Sequence, residues 1–362
     1  MPIIVSISTF NPPNIVEQKQ TAQFAHELFK DDFRDIERLL AVFQNGQIQK
    51  RHFAMPLKWF EKDHSLQERN YLYVKKAVDY GIEVISRCLD NDRFLMNPLS
   101  ADEVEAVFFI SSSGIATPSI EARIMNHLPF LDNTKRIPIW GLGCAGGAAG
   151  ISRAYEYCLA FPKAKVLVLS VELCSLTFQR NDRSKSNLIG TSLFADGAAC
   201  VLMAGDEAGV KTKKLMPSVL KTESKLLPDS EDVMGWDLKD SGLHVVFSRD
   251  IPMIIRNWLG HFVNTFLKNQ KLSIEEIAHF VAHPGGKKVL DAYEDTLQLS
   301  KEKTSHSRAV LSEFGNMSSP TILYVLEHFM MDEMKKGDYG LMAALGPGFS
   351  GELVLLQWGK GI

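Results

Sequence analysis

Cysteine is scarce in this chain and unpatterned. Five residues, Cys88, Cys144, Cys158, Cys174 and Cys200, are spread over 362 positions. An odd set without a CxxC pair argues against a disulfide framework and against a zinc site. A reducing compartment, the cytoplasm, is the expectation. No apolar run approaches the roughly 18 residues of a membrane span. The opening "MPIIVSISTFNPP" has no basic stretch before its apolar residues and stops at two prolines, so it reads as a first strand and not a secretory leader. The net charge of -3 leaves no overall basic excess for nucleic acid or an anionic membrane. The one close histidine pair, His279 and His283, would share a face only on a helix. Its segment "IAHFVAHPGG" reads as a strand running into a Pro-Gly turn, so no metal site is expected there. Low-complexity segments and long linkers are absent.

What the chain does have is alternation. The first hundred residues carry helical patterns such as "TAQFAHELFKDDFRDIERLLAVF", with Phe24, Leu28, Phe33, Ile36 and Leu40 at helical spacing. Strand-like runs "AVFFISSS", "KRIPIWGL", "AKVLVLSVEL" and "AACVLMAG" follow, with a helix expected over 146–160. Beyond a polar region near 205–240, helices are expected over 250–268 and 318–336, each followed by strands. This order predicts an α/β architecture with buried, largely parallel sheets. "EAVFFISSSG" from Glu105 and "IAHFVAHPGG" from Ile277 repeat one pattern at an offset of 172 residues, with Ser111 opposite His283. The echo supports two similar halves, 1–210 and 211–362.

The stretch "IPIWGLGCAGGAAGISRAYEY" satisfies GxGxxG with Gly141, Gly143 and Gly146, but Cys144 stands inside the pattern. An acidic residue, Glu172, follows near the end of the next strand, as a dinucleotide site would want. A thiol aimed into that turn would nevertheless obstruct a pyrophosphate. The same strand, tight turn and small-residue helix put Cys144 at a helix N-terminus, where the dipole is expected to lower its pKa. Cys88, Cys158 and Cys200 lie in apolar contexts and read as structural. A nucleophilic thiolate needs partners, which chain order does not locate. His283, closing a strand before "PGG", and Asn316, in the glycine turn of "EFGNMSSPT", are the candidates. Taken singly, the first reads more readily as a hydrogen-bonded core histidine and the second as a helix cap.

Together these motifs resemble the type III polyketide synthases, the chalcone synthase-like branch of the thiolase superfamily. The matching stretches are "GCAGGAAG", "SLFADGAAC", "HPGGKKVLD", "EFGNMSSPT" and "GPGFSGE", spread over most of the chain. Beta-ketoacyl carrier-protein synthase III is similar, but its histidine motif runs His-Gln-Ala-Asn. The resemblance implies a thiolase-like αβαβα layered fold of two halves, a Cys144, His283, Asn316 triad, and a homodimer with the sites near its interface. It implies that Cys144 takes an acyl group from coenzyme A and that malonyl-CoA, losing carbon dioxide, extends it. Neither a metal nor a redox cofactor is implied.

Phe194 matches one aromatic gatekeeper, whereas Val245 stands where a second phenylalanine is usual. Thr117 replaces a methionine that reaches the partner subunit, Thr177 matches a pocket threonine, and Cys174 replaces another. Gly346, Pro347, Gly348 and Phe349 complete the implied pocket. Phenylalanine to valine opens apolar space, unless a large residue elsewhere refills it. That would suit an aliphatic starter, since each buried methylene contributes about 0.8 kcal/mol. For coenzyme A the resemblance offers Lys50, Arg51, Gly285, Gly286, Lys287 and Lys288. The expected reaction joins a long-chain fatty acyl-CoA to malonyl-CoA and closes an alkylpyrone. An alkylresorcinol product, a single-condensation ketoacyl synthase and a non-catalytic acyl-binding scaffold are the alternatives.

Overall fold

The computed structural model describes residues 1–360. The first half runs β1 (Ile3–Phe10), β2 (Asn14–Glu17), α1 (Gln18–Phe29), α2 (Ile36–Asn45), β3 (Lys50–Phe53), α3 (Leu66–Leu89), β4 (Ala106–Ile110), α4 (Ile120–Ile124), β5 (Lys135–Ile139), α5 (Gly146–Ala160), β6 (Lys165–Leu173), α6 (Lys185–Leu193) and β7 (Asp196–Ala204). The second runs β8 (Met216–Leu226), β9 (Met234–Lys239), β10 (Gly242–Phe247), α7 (Ile251–Asn269), β11 (Ile277–Ala282), α8 (Lys287–Leu297), α9 (Ser305–Phe314), α10 (Thr321–Met331), β12 (Tyr339–Gly346) and β13 (Ser350–Lys360).

Nine strands form one sheet in the order β11-β12-β13-β8-β1-β7-β6-β4-β5. It is mixed, which corrects the expectation of largely parallel sheets. Only β4 with β5, β4 with β6, and β11 with β12 pair in parallel. The other neighbours run antiparallel, because β12 and β13 are joined by a short loop and each half contains strands that reverse. Within the sheet the two halves join at β1 and β8, where Ile3 pairs with Ser218.

The helices sort into layers. α3 packs on β1, β6 and β7, whereas α5 and α10 touch each other and strands of both halves. α7 and α8 share a second core with β11, β12 and β13. The middle layer demands small residues. A Cβ on Gly147 of α5 would stand 2.3 Å from the Ser319 carbonyl oxygen, so only glycine permits this approach. The fold is thus a thiolase-like layered α/β structure.

Three local expectations change. The long N-terminal pattern is two helices, α1 and α2, whose apolar residues share a small cluster with Leu188. α10 begins only at Thr321, because Pro320 occupies the N-cap and Ser318 has a left-handed φ of 61°. The polar region of 205–240 contains β8, a central strand whose first four residues are buried and whose remainder alternates. Among the described residues no helix is long and apolar enough to cross a membrane.

Candidate active site

β5 delivers the chain to a 3-10 turn, Gly143–Ala145, and α5 follows at once. Gly143 has a φ of 47°, and a Cβ there would meet the Pro347 ring at 2.7 Å. Glycine therefore lets the β12–β13 loop, Gly346 to Gly348, sit directly on the Cys144 turn. Gly346 is equally close to Leu142 and Ala145.

Cys144 is 9% exposed. Its Sγ lies 3.6 Å from Ser318 Oγ and 4.0 Å from Asn316 Oδ1, the range of weak S–H contacts. Asn316 is not a cap of α10. Its Oδ1 accepts the Ser318 backbone N–H at 2.8 Å and its Nδ2 donates to the Gly285 carbonyl at 3.2 Å. That second bond ties it to the turn that follows β11 and carries His283. His283 donates its backbone N–H to Ala343 of β12, and the Gly285 N–H returns to the His283 carbonyl. The imidazole is 2% exposed, and neither ring nitrogen has a partner among the described residues. The fold thus brings Cys144 and Asn316 together and joins His283 to them through Gly285.

Burial governs the charges. It pushes the Cys144 thiol up to about 11, helped by the Glu172 charge and opposed by the contacts with Ser318 and Asn316. The expected lowering of this pKa is therefore corrected, since loss of water outweighs the helix N-terminus in the free protein. The same cause drives His283 down to about 3. The resting site holds a neutral thiol and a neutral imidazole whose two ring nitrogens are without partners among the described residues.

Phe194 is fixed beside this group. The Asn316 N–H donates to the Leu193 carbonyl and the Ala195 N–H to the Asn316 carbonyl, bridging the two segments. Phe194, Val245, Cys174 and Thr177 line a cavity of about 50 Å³, with Phe24 and Trp236 among its aromatic walls. Val245 pairs across the β9–β10 hairpin with Trp236, and the Phe194 ring lies 5.6 Å from Trp236 and 5.5 Å from Phe247. Trp236 and Val245 thus stand side by side in the cavity wall. Thr117 is exposed and does not line this cavity. Phe349 does not line it either: it lies in the β12–β13 loop and is fully buried in the second core, 6.0 Å from Trp258.

The coenzyme A candidates divide. Lys50 is half-exposed and ion-paired with Glu313 at 2.8 Å. Arg51, next along β3, faces inward and is fully buried, so its expected place on coenzyme A phosphates is corrected by strand alternation. Gly285 and Gly286 form the turn before α8, where Gly286 is the N-cap. Lys287 pairs with Asp291 at 2.6 Å, while Lys288 is exposed and has no ion pair among the described residues. Ser318, Trp236 and the buried environment of Arg51 were missed from sequence. Of these, only the "SSP" preceding α10 offered a readable cue.

Residues 1–207 match the family of chalcone and stilbene synthases by its N-terminal domain, and residues 218–358 match by its C-terminal domain. A putative chalcone synthase of Bacillus subtilis is 51% identical, with all of both chains covered. An alpha-pyrone synthesis polyketide synthase-like protein of Mycobacterium tuberculosis is 27% identical over 98% of this chain and 91% of its own. The crystal structure of 1,3,6,8-tetrahydroxynaphthalene synthase from Streptomyces coelicolor, a bacterial type III polyketide synthase, superposes with a TM-score of 0.91. It is 27% identical and covers 99% of both chains.

Proposed function

This chain belongs to the chalcone and stilbene synthases, the type III polyketide synthases, and from that premise we propose that it joins an aliphatic acyl-CoA to malonyl-CoA and closes an alkylpyrone. Enzymes of this family are acyltransferases that work on coenzyme A thioesters. The observation that carries the reading is the buried group of Cys144, Asn316 and His283, bridged through Asn316 to Phe194 and a cavity whose lining includes Phe24, Trp236 and Val245.

In this reading the Cys144 proton passes to a free nitrogen of His283, and the thiolate attacks the acyl-CoA carbonyl. The carbon–sulfur bond to coenzyme A breaks, and the acyl group rests on Cys144. Malonyl-CoA then loses carbon dioxide. The His283 N–H and the Asn316 amide hydrogen not bound to Gly285 donate to the enolate oxygen that forms. The enolate carbon attacks the Cys144 thioester, a carbon–carbon bond replaces the carbon–sulfur bond, and the thiolate is released. The 3-oxoacyl-CoA so formed passes back to Cys144, the thiolate displacing coenzyme A, which leaves with the proton held by His283, and a second malonyl-CoA extends the chain. The enol oxygen at C5 then attacks C1, closes the lactone and expels coenzyme A as its thiol.

Val245 and the aromatic walls support an aliphatic starter. The cavity holds only a few atoms as shaped, so a long chain requires the Phe194–Trp236 wall to give way. Lys287, Lys288 and the Gly285–Gly286 turn are the proposed mouth for coenzyme A phosphates. The same reading carries a homodimer working in the cytoplasm.

Intact-mass measurement after mixing with lauroyl-CoA tests the first step. A stable acyl adduct on the wild type, absent from Cys144→Ala, is expected; an adduct that persists in Cys144→Ala would contradict the assignment.

A further inference from the structure

Arg51 combines full burial with unused hydrogen-bond donors. Its Nη1 donates to the Thr191 carbonyl at 2.8 Å and the Phe194 carbonyl at 2.6 Å, while Nε and Nη2 have no partner. No ion pair joins it to a described residue. Asp196 is the carboxylate whose charge it feels, but those oxygens are taken by the Ala54 N–H and by the N–H and hydroxyl of Ser175. Burial lowers the guanidinium to about 9, which leaves it cationic at neutral pH. A desolvated cation with idle donors is costly unless an acceptor reaches it.

Arg51 is among the residues lining the cavity beside Phe194, so an acceptor that enters this cavity comes alongside it. The other buried polar side chains there are satisfied internally. Thr177 donates to the Cys174 carbonyl, Asn187 to the carbonyls of Gln179 and Asp182, and Ser175 to Asp196. Phe194, which lines the cavity, is bridged through its neighbours Leu193 and Ala195 to the backbone of Asn316, whose Oδ1 lies 4.0 Å from Cys144 Sγ, and Cys174 is a further wall. An acyl group on Cys144 that enters this cavity beside Phe194 shares it with Arg51.

We propose that Arg51 is the recognition point for the oxygenated part of the growing chain. Its Nε and Nη2 hydrogens take the 3-oxo oxygen created by the first extension and hold the chain beside Phe194 for the next one. The assignment rests on the reading of Cys144 as the acyl carrier. It makes Arg51 a specificity-determining residue, with its other two bonds holding the backbone of the gate.

Two starters of equal length isolate the oxygen: acetoacetyl-CoA and butyryl-CoA, compared by the kcat/KM for acylation of Cys144, read as intact mass. Intrinsic reactivity and any folding defect affect the two rates within each protein, so the decisive quantity is the change in their ratio. Loss of a hydrogen bond to a charged donor is worth about tenfold or more. The acetoacetyl preference of the wild type is expected to fall about tenfold in Arg51→Met, with Arg51→Lys between. A ratio unchanged within about twofold in both variants overturns the proposal. So does a wild type with no acetoacetyl preference, which needs no folded variant. If Arg51→Lys raises the KM for malonyl-CoA while the ratio holds, the donors serve the extender carboxylate and the proposal fails. If neither starter acylates wild-type Cys144, the reading of the thiol itself has failed, and the proposal with it.

Discussion

At the scale of single residues the site is a set of groups held neutral by burial. His283 has the simplest consequence, because desolvation alone lowers its pKa to about 3. A depressed pKa contributes stability above the unfolded value near 6.5 and loses it as pH falls toward 3. At pH 5 the loss is about 2 kcal/mol at most, from a difference of about 1.5 pH units. Asp196, raised by burial to about 6, works in the opposite sense, so the wild-type curve alone is ambiguous. His283→Gln removes one contribution and leaves the other. The fall in Tm between pH 7 and pH 5 is expected to be smaller in the variant; equal slopes would show that His283 is hydrated and not desolvated. Cys144 follows the same physics with opposite charge, and its pKa near 11 explains why a thiol at a helix start is not thereby a thiolate.

At the scale of elements, α5 and the β9–β10 hairpin do different work. α5 lies between the two halves because its first turns are nearly all glycine and alanine. Gly147→Ala drives a methyl group into the Ser319 carbonyl and is expected to cost about 1–3 kcal/mol, read as a lower midpoint in urea. A midpoint equal to the wild type would mean that α10 shifts freely. The hairpin instead sets the cavity wall through Trp236, Val245 and Phe247. Val245→Phe should lower kcat/KM for lauroyl-CoA about tenfold while changing acetyl-CoA little, since the new ring occupies chain volume. Equal losses on both starters would place the acyl chain elsewhere.

Helical and strand periodicity made most of these elements legible, and α5 falls on its expected residues, 146–160. β8 was illegible because "MPSVLKTESKL" is buried at one end only, and its charged remainder looks like a loop. Arg51 was misread for a related reason. Which face of a four-residue strand points inward depends on what packs over it, here α6 and the Gly315 turn.

At the scale of the molecule, the residues of the site follow the 172-residue offset of the sequence echo. Cys144 and Asn316 are 172 residues apart, the offset that also aligns Ser111 with His283. Each half presents one residue just before its central helix, α5 or α10, and one at the end of an edge-side strand, β4 or β11. Cys144, Asn316 and His283 are what the two halves contribute to one point. Ser111 has taken a different part. It accepts from the Tyr73 hydroxyl and stands in a buried group of serines around the Glu172 carboxylate. The sequence carried this symmetry in a ten-residue echo, but the polarity of the strands and the closeness of the two turns required the packed structure.

The most direct test gives the purified protein malonyl-CoA with acyl-CoAs from acetyl to palmitoyl, beside Cys144→Ala, and weighs the products by mass spectrometry. Products carrying two extender units less one water, with masses rising in step with the starter and absent from the variant, are predicted. Products of a single extension, or masses independent of the starter, would contradict the proposed reaction.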